Sequence, residues 1–80
     1  PAKRAAEAAA LRAVFVQVSR CLKDQPLALE TLEAYEEDAA NSHSDVPRLR
    51  GFLQGLYAGK SLPFEDYCEV DALIVSAFDL

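Results

Sequence analysis

The sequence LRAVFVQVSRCL, residues 11–22, places apolar side chains at steps of three and four residues. This spacing builds one continuous apolar stripe along an α-helix. Alanine, the residue with the highest helix propensity, is dense before this segment, so the helix is predicted to span residues 2–23. Val16 falls off the stripe. The stripe consists of Leu11, Val14, Phe15, Val18, Cys21 and Leu22.

Two shorter helices are predicted from prolines and capping residues that follow polar breaks. Residues 26–39 form the second helix, because Pro26 fits a first turn, where its missing N–H costs nothing. Asp24 is available to cap it. Residues 46–58 form the third helix, with Ser44 or Asp45 as its cap.

Glycine and proline mark the end of the third helix and the start of a fourth. Gly59 is predicted to close the third helix, because glycine reaches the left-handed conformation freely. Pro63 ends a short extended link, and residues 65–78 form the fourth helix. Short links favour antiparallel neighbours. Residues 1–80 are therefore predicted to be a single all-α domain, a small antiparallel bundle of about four helices.

Gly51 and Gly55 are unusual inside a helix, where each costs about 1 kcal/mol relative to alanine. Their spacing puts them on one face of the third helix. They either form a smooth groove where another helix crosses closely or are simply tolerated on the surface. The sequence leaves both interpretations open.

The net charge is −5, from 13 acidic and 8 basic residues, and it is distributed unevenly. Residues 1–23 are mainly basic, whereas residues 30–38 and 65–79 carry acids and no base. Such asymmetry can steer a protein partner or pair two copies of a chain, although solvated helix faces show it too. An acidic chain is poorly suited to neutralising phosphates, so nucleic acid is not expected as a partner.

The chain carries no signal of membrane insertion or export. No apolar run approaches the roughly 18 residues of a membrane span, and residues 5–18 lack the apolar core of a signal peptide. Cys21 and Cys68 are expected to be reduced, buried thiols, since two distant cysteines do not make a disulfide framework. We therefore expect a cytoplasmic protein without membrane contact. Its start at Pro1 indicates a fragment or a processed product.

Catalytic chemistry is not predicted. His43 is the only histidine, and its neighbours Ser42 and Ser44 cannot supply the oriented base and oxyanion site of a hydrolase. Paired carboxylates such as Glu33 and Glu37 lie on polar helix faces rather than in a cleft. No cluster of cysteine and histidine has zinc spacing. The chain is expected to be no enzyme and to need no metal or cofactor.

Large apolar side chains are numerous for four short helices, so either some of them form a surface that binds another protein or all of them fill the core. The candidate anchors are Phe52, Leu56, Tyr57, Leu62 and Phe64. A core of this size contributes only about 3–5 kcal/mol of net stability, so a homodimer is also expected. Its predicted surface is the first helix, through Val14, Phe15, Val18 and Leu22.

The second half of the chain resembles a family of small helical bacterial proteins. The matching segments are RLRGFLQGLY at residues 48–57, LPFEDY at 62–67 and VDAL at 70–73. Quorum-sensing anti-activators of the QslA type are similar in size, acidity and helical content. The resemblance implies a cytosolic protein that pairs with itself and captures a LuxR-type transcriptional activator. It would engage the activator's ligand-binding domain and block its dimerisation and DNA binding.

The resemblance has departures, and two other functions stay open. The family turn P-F-D-L reads PFED at residues 63–66, and one aromatic residue stands at 56–57 where a pair is sometimes seen. One alternative is a small helical subunit or adaptor of a larger complex. The other is a helix-turn-helix protein that binds DNA through Arg48 and Arg50, although the third helix offers few polar groups for base edges.

Overall fold

Four α-helices account for most of the chain in a computed structural model, which describes residues 2–80. The helices are α1 (Ala2–Cys21), α2 (Pro26–Ala40), α3 (Val46–Ala58) and α4 (Phe64–Ala77). No β-strand occurs within residues 2–80. The predicted all-α fold is confirmed. α3 has the predicted bounds, α1 ends two residues early, α2 ends one residue late, and α4 is shifted by one residue.

The starts of α2 and α3 follow local signals. Pro26 and Pro47 lie in the first turns of these helices. The Oδ1 atom of Asp45 accepts a hydrogen bond from the backbone N–H of Arg48 at 3.1 Å, so Asp45 rather than Ser44 caps α3. Asp24 does not cap α2, because Gln25 occupies the N-cap position and makes no side-chain capping bond.

The prediction that Gly59 adopts the left-handed conformation is wrong by one residue. Gly59 has φ −84°, and Lys60, with φ 65°, makes the left-handed turn. The N–H of Lys60 donates to the carbonyl of Tyr57 at 3.0 Å, and the N–H of Ser61 donates to that of Leu56 at 2.8 Å. This is the Schellman pattern, in which the chain reverses one residue after the cap.

α2 and α4 end in the same way. Ser42 and Asp79 adopt φ 60° and 57°, and the next N–H groups reach back to carbonyls five residues earlier. Side chains with a Cβ are strained in this conformation, which costs roughly 1–2 kcal/mol per residue. Each of these three helix ends therefore carries some backbone strain.

One apolar core joins all four helices. Val16 is 51% exposed, as its position off the predicted stripe indicates. The stripe itself is buried apart from the half-buried Cys21. The core side chains are Leu11, Val14, Phe15, Val18, Leu22, Leu32, Leu49, Leu53, Leu56, Leu62, Val70 and Ile74.

α1 and α4 are antiparallel neighbours tied together near both ends. The Lys3 Nζ atom lies 3.3 Å from Asp79 Oδ2 at one end. Toward the other end, the side-chain amide of Gln17 donates to Asp66 at 2.9 Å and to Glu69 at 2.7 Å. The radius of gyration is 11.8 Å, close to the roughly 12 Å expected of a compact domain of this length.

The helices lie in the cyclic order α1, α2, α3, α4. α1 packs mainly on α4 and also on α2, and α3 packs on α4. The Tyr35 ring on α2 stacks on the Phe52 ring of α3, with centroids 5.4 Å apart, which closes the ring of helices. The α1–α2 face and the α3–α4 face are therefore on opposite sides of the bundle.

A helix that crosses a bilayer needs about 20 predominantly apolar residues, and residues 2–80 contain the four helices α1 to α4. None of them is both long enough and apolar enough to cross a bilayer.

Candidate functional site

The fold divides the five predicted partner anchors between core and surface. Leu56 and Leu62 are buried, which corrects their assignment as surface anchors. Phe52 is half-buried in the contact between α2 and α3. Tyr57 and Phe64 are 38% and 59% exposed, so these two side chains are available to a partner.

The four residues predicted to pair two copies lie inside the single chain. Val14, Phe15, Val18 and Leu22 are all buried in the core. In this fold they offer no surface to a second copy, which corrects their assignment as a dimer interface. The physical reason is that the chain uses the apolar stripe of its longest helix to hold its own helices together.

Three aromatic side chains form a cluster where α3 meets α4. The rings of Tyr57 and Tyr67 stack with centroids 5.0 Å apart and an interplanar angle of 8°. The ring of Phe64 tilts against Tyr57, with centroids 5.5 Å apart and an angle of 51°. Each such pair contributes about 0.5–1.5 kcal/mol beyond its buried area. We call Tyr57, Phe64 and Tyr67 the aromatic cluster.

The tight α3–α4 link positions the cluster. Leu62, buried in the core, anchors the link, and Pro63 precedes the first residue of α4. The carbonyl of Pro63 accepts the first helical hydrogen bond, from the N–H of Tyr67 at 2.9 Å. Phe64 therefore stands at the rim of the bundle, one turn before Tyr67. Tyr67 is half-buried and was not among the predicted anchors, although its spacing of three residues from Phe64 puts both side chains on one side of α4.

A groove adjoins the cluster between α3 and α4. It has a volume of about 320 Å³ and is lined by Pro47, Arg50, Gly51, Gln54, Tyr67 and Asp71. A Cβ atom added at Gly51 or Gly55 would meet nothing within 4 Å. No helix of the described chain crosses these glycines, so this side of α3 is open.

Arg50 and Asp71 line the groove from opposite helices and form an ion pair, so their charges cancel each other. Arg50 Nε donates to Asp71 Oδ1 at 2.9 Å, and a terminal guanidinium nitrogen donates to Asp71 Oδ2 at 3.2 Å. These hydrogen bonds, together with the charge of Asp71, raise the pKa of the Arg50 guanidinium. The two-point geometry fixes the register between α3 and α4. The α3–α4 surface, by which we mean the aromatic cluster and this groove, thus combines exposed aromatic rings with a groove lined mainly by polar groups.

The remaining reactive side chains lie elsewhere. Both cysteines are free, and Cys68 is exposed, which corrects its predicted burial. Cys21 is half-buried, and burial, followed by the charge of Asp66 and a hydrogen bond to it, raises the pKa of its thiol. A raised pKa keeps the thiol in its less nucleophilic, protonated form. His43 lies exposed in the α2–α3 loop, and no group of metal-binding side chains is found within residues 2–80.

Neither a protein-family model, nor a curated protein, nor a solved structure matches this chain. The resemblance carried by residues 48–73 to the anti-activator family therefore stays a prediction.

Proposed function

We propose that this chain is a non-catalytic regulator that binds another protein through its α3–α4 surface. The observation that carries the proposal is the exposure of Phe64, at 59%, beside the partly exposed Tyr57 and an open groove. Aromatic side chains next to a pocket are the usual energetic anchors of protein interfaces. Covering an exposed ring recovers about 25 cal/mol for each Å² of apolar surface removed from water.

The mechanism is competition for an apolar surface. The aromatic cluster covers a surface that the partner otherwise uses to pair with itself, so regulation needs only a difference in affinity between two interfaces. The resemblance of residues 48–73 makes the ligand-binding domain of a LuxR-type activator the first partner to test. In this proposal the chain acts in the cytoplasm and blocks activator dimerisation, and with it DNA binding.

A single ion pair weighs against the DNA-binding alternative. Arg50 is engaged by Asp71 through two hydrogen bonds, so it is not free to contact phosphate or a base edge. Within the part of the chain that the structure describes, Arg48 is the cation of α3 that forms no ion pair. One arginine is a poor basis for phosphate neutralisation. The surface is better suited to an apolar protein partner.

The test is a titration of the purified chain with the ligand-binding domain of a LuxR-type activator. Calorimetry should give a saturable complex, and light scattering should show the activator dimer replaced by that complex. Phe64→Ala should weaken binding about 30-fold, the loss expected for a 2 kcal/mol interface anchor. Leu27→Ala is the matched control, because Leu27 is 80% exposed on α2, away from this surface.

The possible results distinguish an error in the proposed partner from an error in the proposed binding surface. If no complex forms with the activator domain, the proposed partner is wrong. If a complex forms and Phe64→Ala binds as tightly as the native chain, the proposed surface is wrong. A small subunit of a larger complex would use the same surface for a permanent contact, and the isolated chain would then aggregate through it unless Phe64 is replaced.

A further inference from the structure

α1 and α2 lie side by side and carry opposite charge. α1 has a single acid, Glu7, which lines the seam with α2 together with Arg4 and Arg12. α2 carries no base in Pro26–Ala40. Its acids are Glu30, Glu33, Glu36, Glu37 and Asp38.

These charges are not neutralised between the two helices. The ion pairs found in residues 2–80 join Lys3 to Asp79 and Arg50 to Asp71, and neither connects α1 with α2. Arg12 and Glu36 border the same groove without forming an ion pair. Opposite charges therefore border this seam, Arg12 on the α1 side and Glu36 on the α2 side.

An apolar seam separates the charged side chains of α1 from those of α2. One groove of about 320 Å³ lies between α1 and α2, and a second of about 340 Å³ continues toward the N-terminal end of α1. Both grooves share Leu11, Ala8 and Ala39 in their walls. The α1–α2 face thus combines an apolar centre with charged margins of opposite sign, which is the anatomy of a protein interface.

We infer that the α1–α2 face binds a second copy of this chain across a twofold axis. A twofold interface uses the same patch on both copies. A residue of α1 in one copy therefore contacts a residue of α2 in the other, and the same contact is made a second time with the copies exchanged. An axis that runs along the apolar seam, in the plane of contact, places α1 of one copy, with Arg12, over the acidic α2 of the other, and does so twice. The second copy is the occupant that the charges favour, because it carries both signs at the required separation.

The inferred interface is independent of the proposed function. The α1–α2 face lies on the opposite side of the bundle from the α3–α4 surface, so pairing leaves the aromatic cluster uncovered. The inferred interface also differs from the predicted one. The prediction relied on side chains that are buried in the core, whereas the inferred interface consists of surface side chains that a second copy can reach. The buried residues are Val14, Phe15, Val18 and Leu22.

Charge reversal tests the inference. Sedimentation equilibrium at low salt should give twice the 8.7 kDa of a single chain, and the dimer should weaken as salt is added. Arg12→Glu, and separately the double variant Glu33→Arg/Glu37→Arg, should each raise the dimer dissociation constant by about tenfold or more, since like charges then face each other. An equimolar mixture of the two variants should restore a heterodimer, because both contacts become attractive again.

The controls distinguish pairing from general effects of charge. Lys60→Glu changes the charge by the same amount as Arg12→Glu on the opposite side of the bundle and should leave the dimer unchanged. Circular dichroism should show native helix content for every variant. A native chain that is monomeric up to its solubility limit overturns the inference. So does a mixture of folded charge-reversed variants that stays monomeric.

Discussion

The ring of Tyr57 on α3 lies parallel to the ring of Tyr67 on α4, with centroids 5.0 Å apart. Phe64 leans on the same Tyr57 ring from the solvent side. One aromatic cluster thus has an inner contact that joins two helices and an outer ring that faces water. Stability and binding are therefore expected to depend on different members of the cluster.

Tyr67→Ala should destabilise the chain more than Phe64→Ala. Loss of the Tyr57–Tyr67 stack and of half-buried area should lower the free energy of unfolding by about 1.5 kcal/mol. Removing the Phe64 ring should lower it by only about 0.5 kcal/mol, the low end for an aromatic pair, because this ring is 59% exposed. Urea unfolding followed by circular dichroism measures both values. Equal losses for the two variants would contradict this division of roles.

Lys60→Gly should stabilise the chain by about 1 kcal/mol. Lys60 has φ 65°, and glycine removes the Cβ strain of that conformation. Lys23→Gly is the control, since Lys23 lies in a turn outside the left-handed region and glycine there only adds freedom to the unfolded chain. Melting temperatures of the two variants should therefore move in opposite directions.

Gly51→Ala and Gly55→Ala should each stabilise the free chain by about 1 kcal/mol, the difference in helix propensity. The added methyl groups meet nothing within 4 Å. Gly59→Ala should raise the free energy of unfolding by less, because its Cβ would lie 3.3 Å from the carbonyl oxygen of Gly55. Thermal unfolding gives the comparison, and a loss of stability at Gly51 or Gly55 would contradict the open surface described here.

Cys68 should react with iodoacetamide faster than Cys21. Cys68 is exposed. Burial and the charge of Asp66 raise the pKa of the Cys21 thiol, so a smaller fraction of Cys21 is thiolate at any given pH. Asp66→Asn should lower that pKa and speed the reaction at Cys21, while Glu69→Gln serves as the control. Mass spectrometry of peptides between about pH 7 and 9 follows both sites. Equal rates at the two cysteines would show that Cys21 is not shielded.

Local signals in the sequence were sufficient to predict the number of helices and their approximate bounds. α3 begins and ends where Asp45, Pro47 and the apolar spacing place it, because capping and propensity act over a few residues. The turn after α3 was harder to predict. Whether Gly59 or Lys60 adopts the left-handed conformation depends on how far the chain must travel to bury Leu62, and that distance is set by the core.

Periodicity identifies an apolar face but not the element that covers it. Leu56 and Tyr57 are adjacent in the sequence, yet Leu56 is buried in the core that the helices share, whereas Tyr57 lies at the edge of the α3–α4 contact, where it stacks on Tyr67 and stays partly exposed. The stripe of α1 posed the same ambiguity. Its side chains could have met another chain or the other helices of this one, and the structure places them in the chain's own core.

The contact between Lys3 and Asp79, at 3.3 Å, brings the first and last helices together at one end of the bundle. A short flexible linker could join residues 3 and 79 without displacing α1 or α4. The polypeptide could then be reopened in the exposed loop at residues 41–44, giving a circular permutant with the same helices around the same core. The order of the helices along the chain is therefore separable from their order in space.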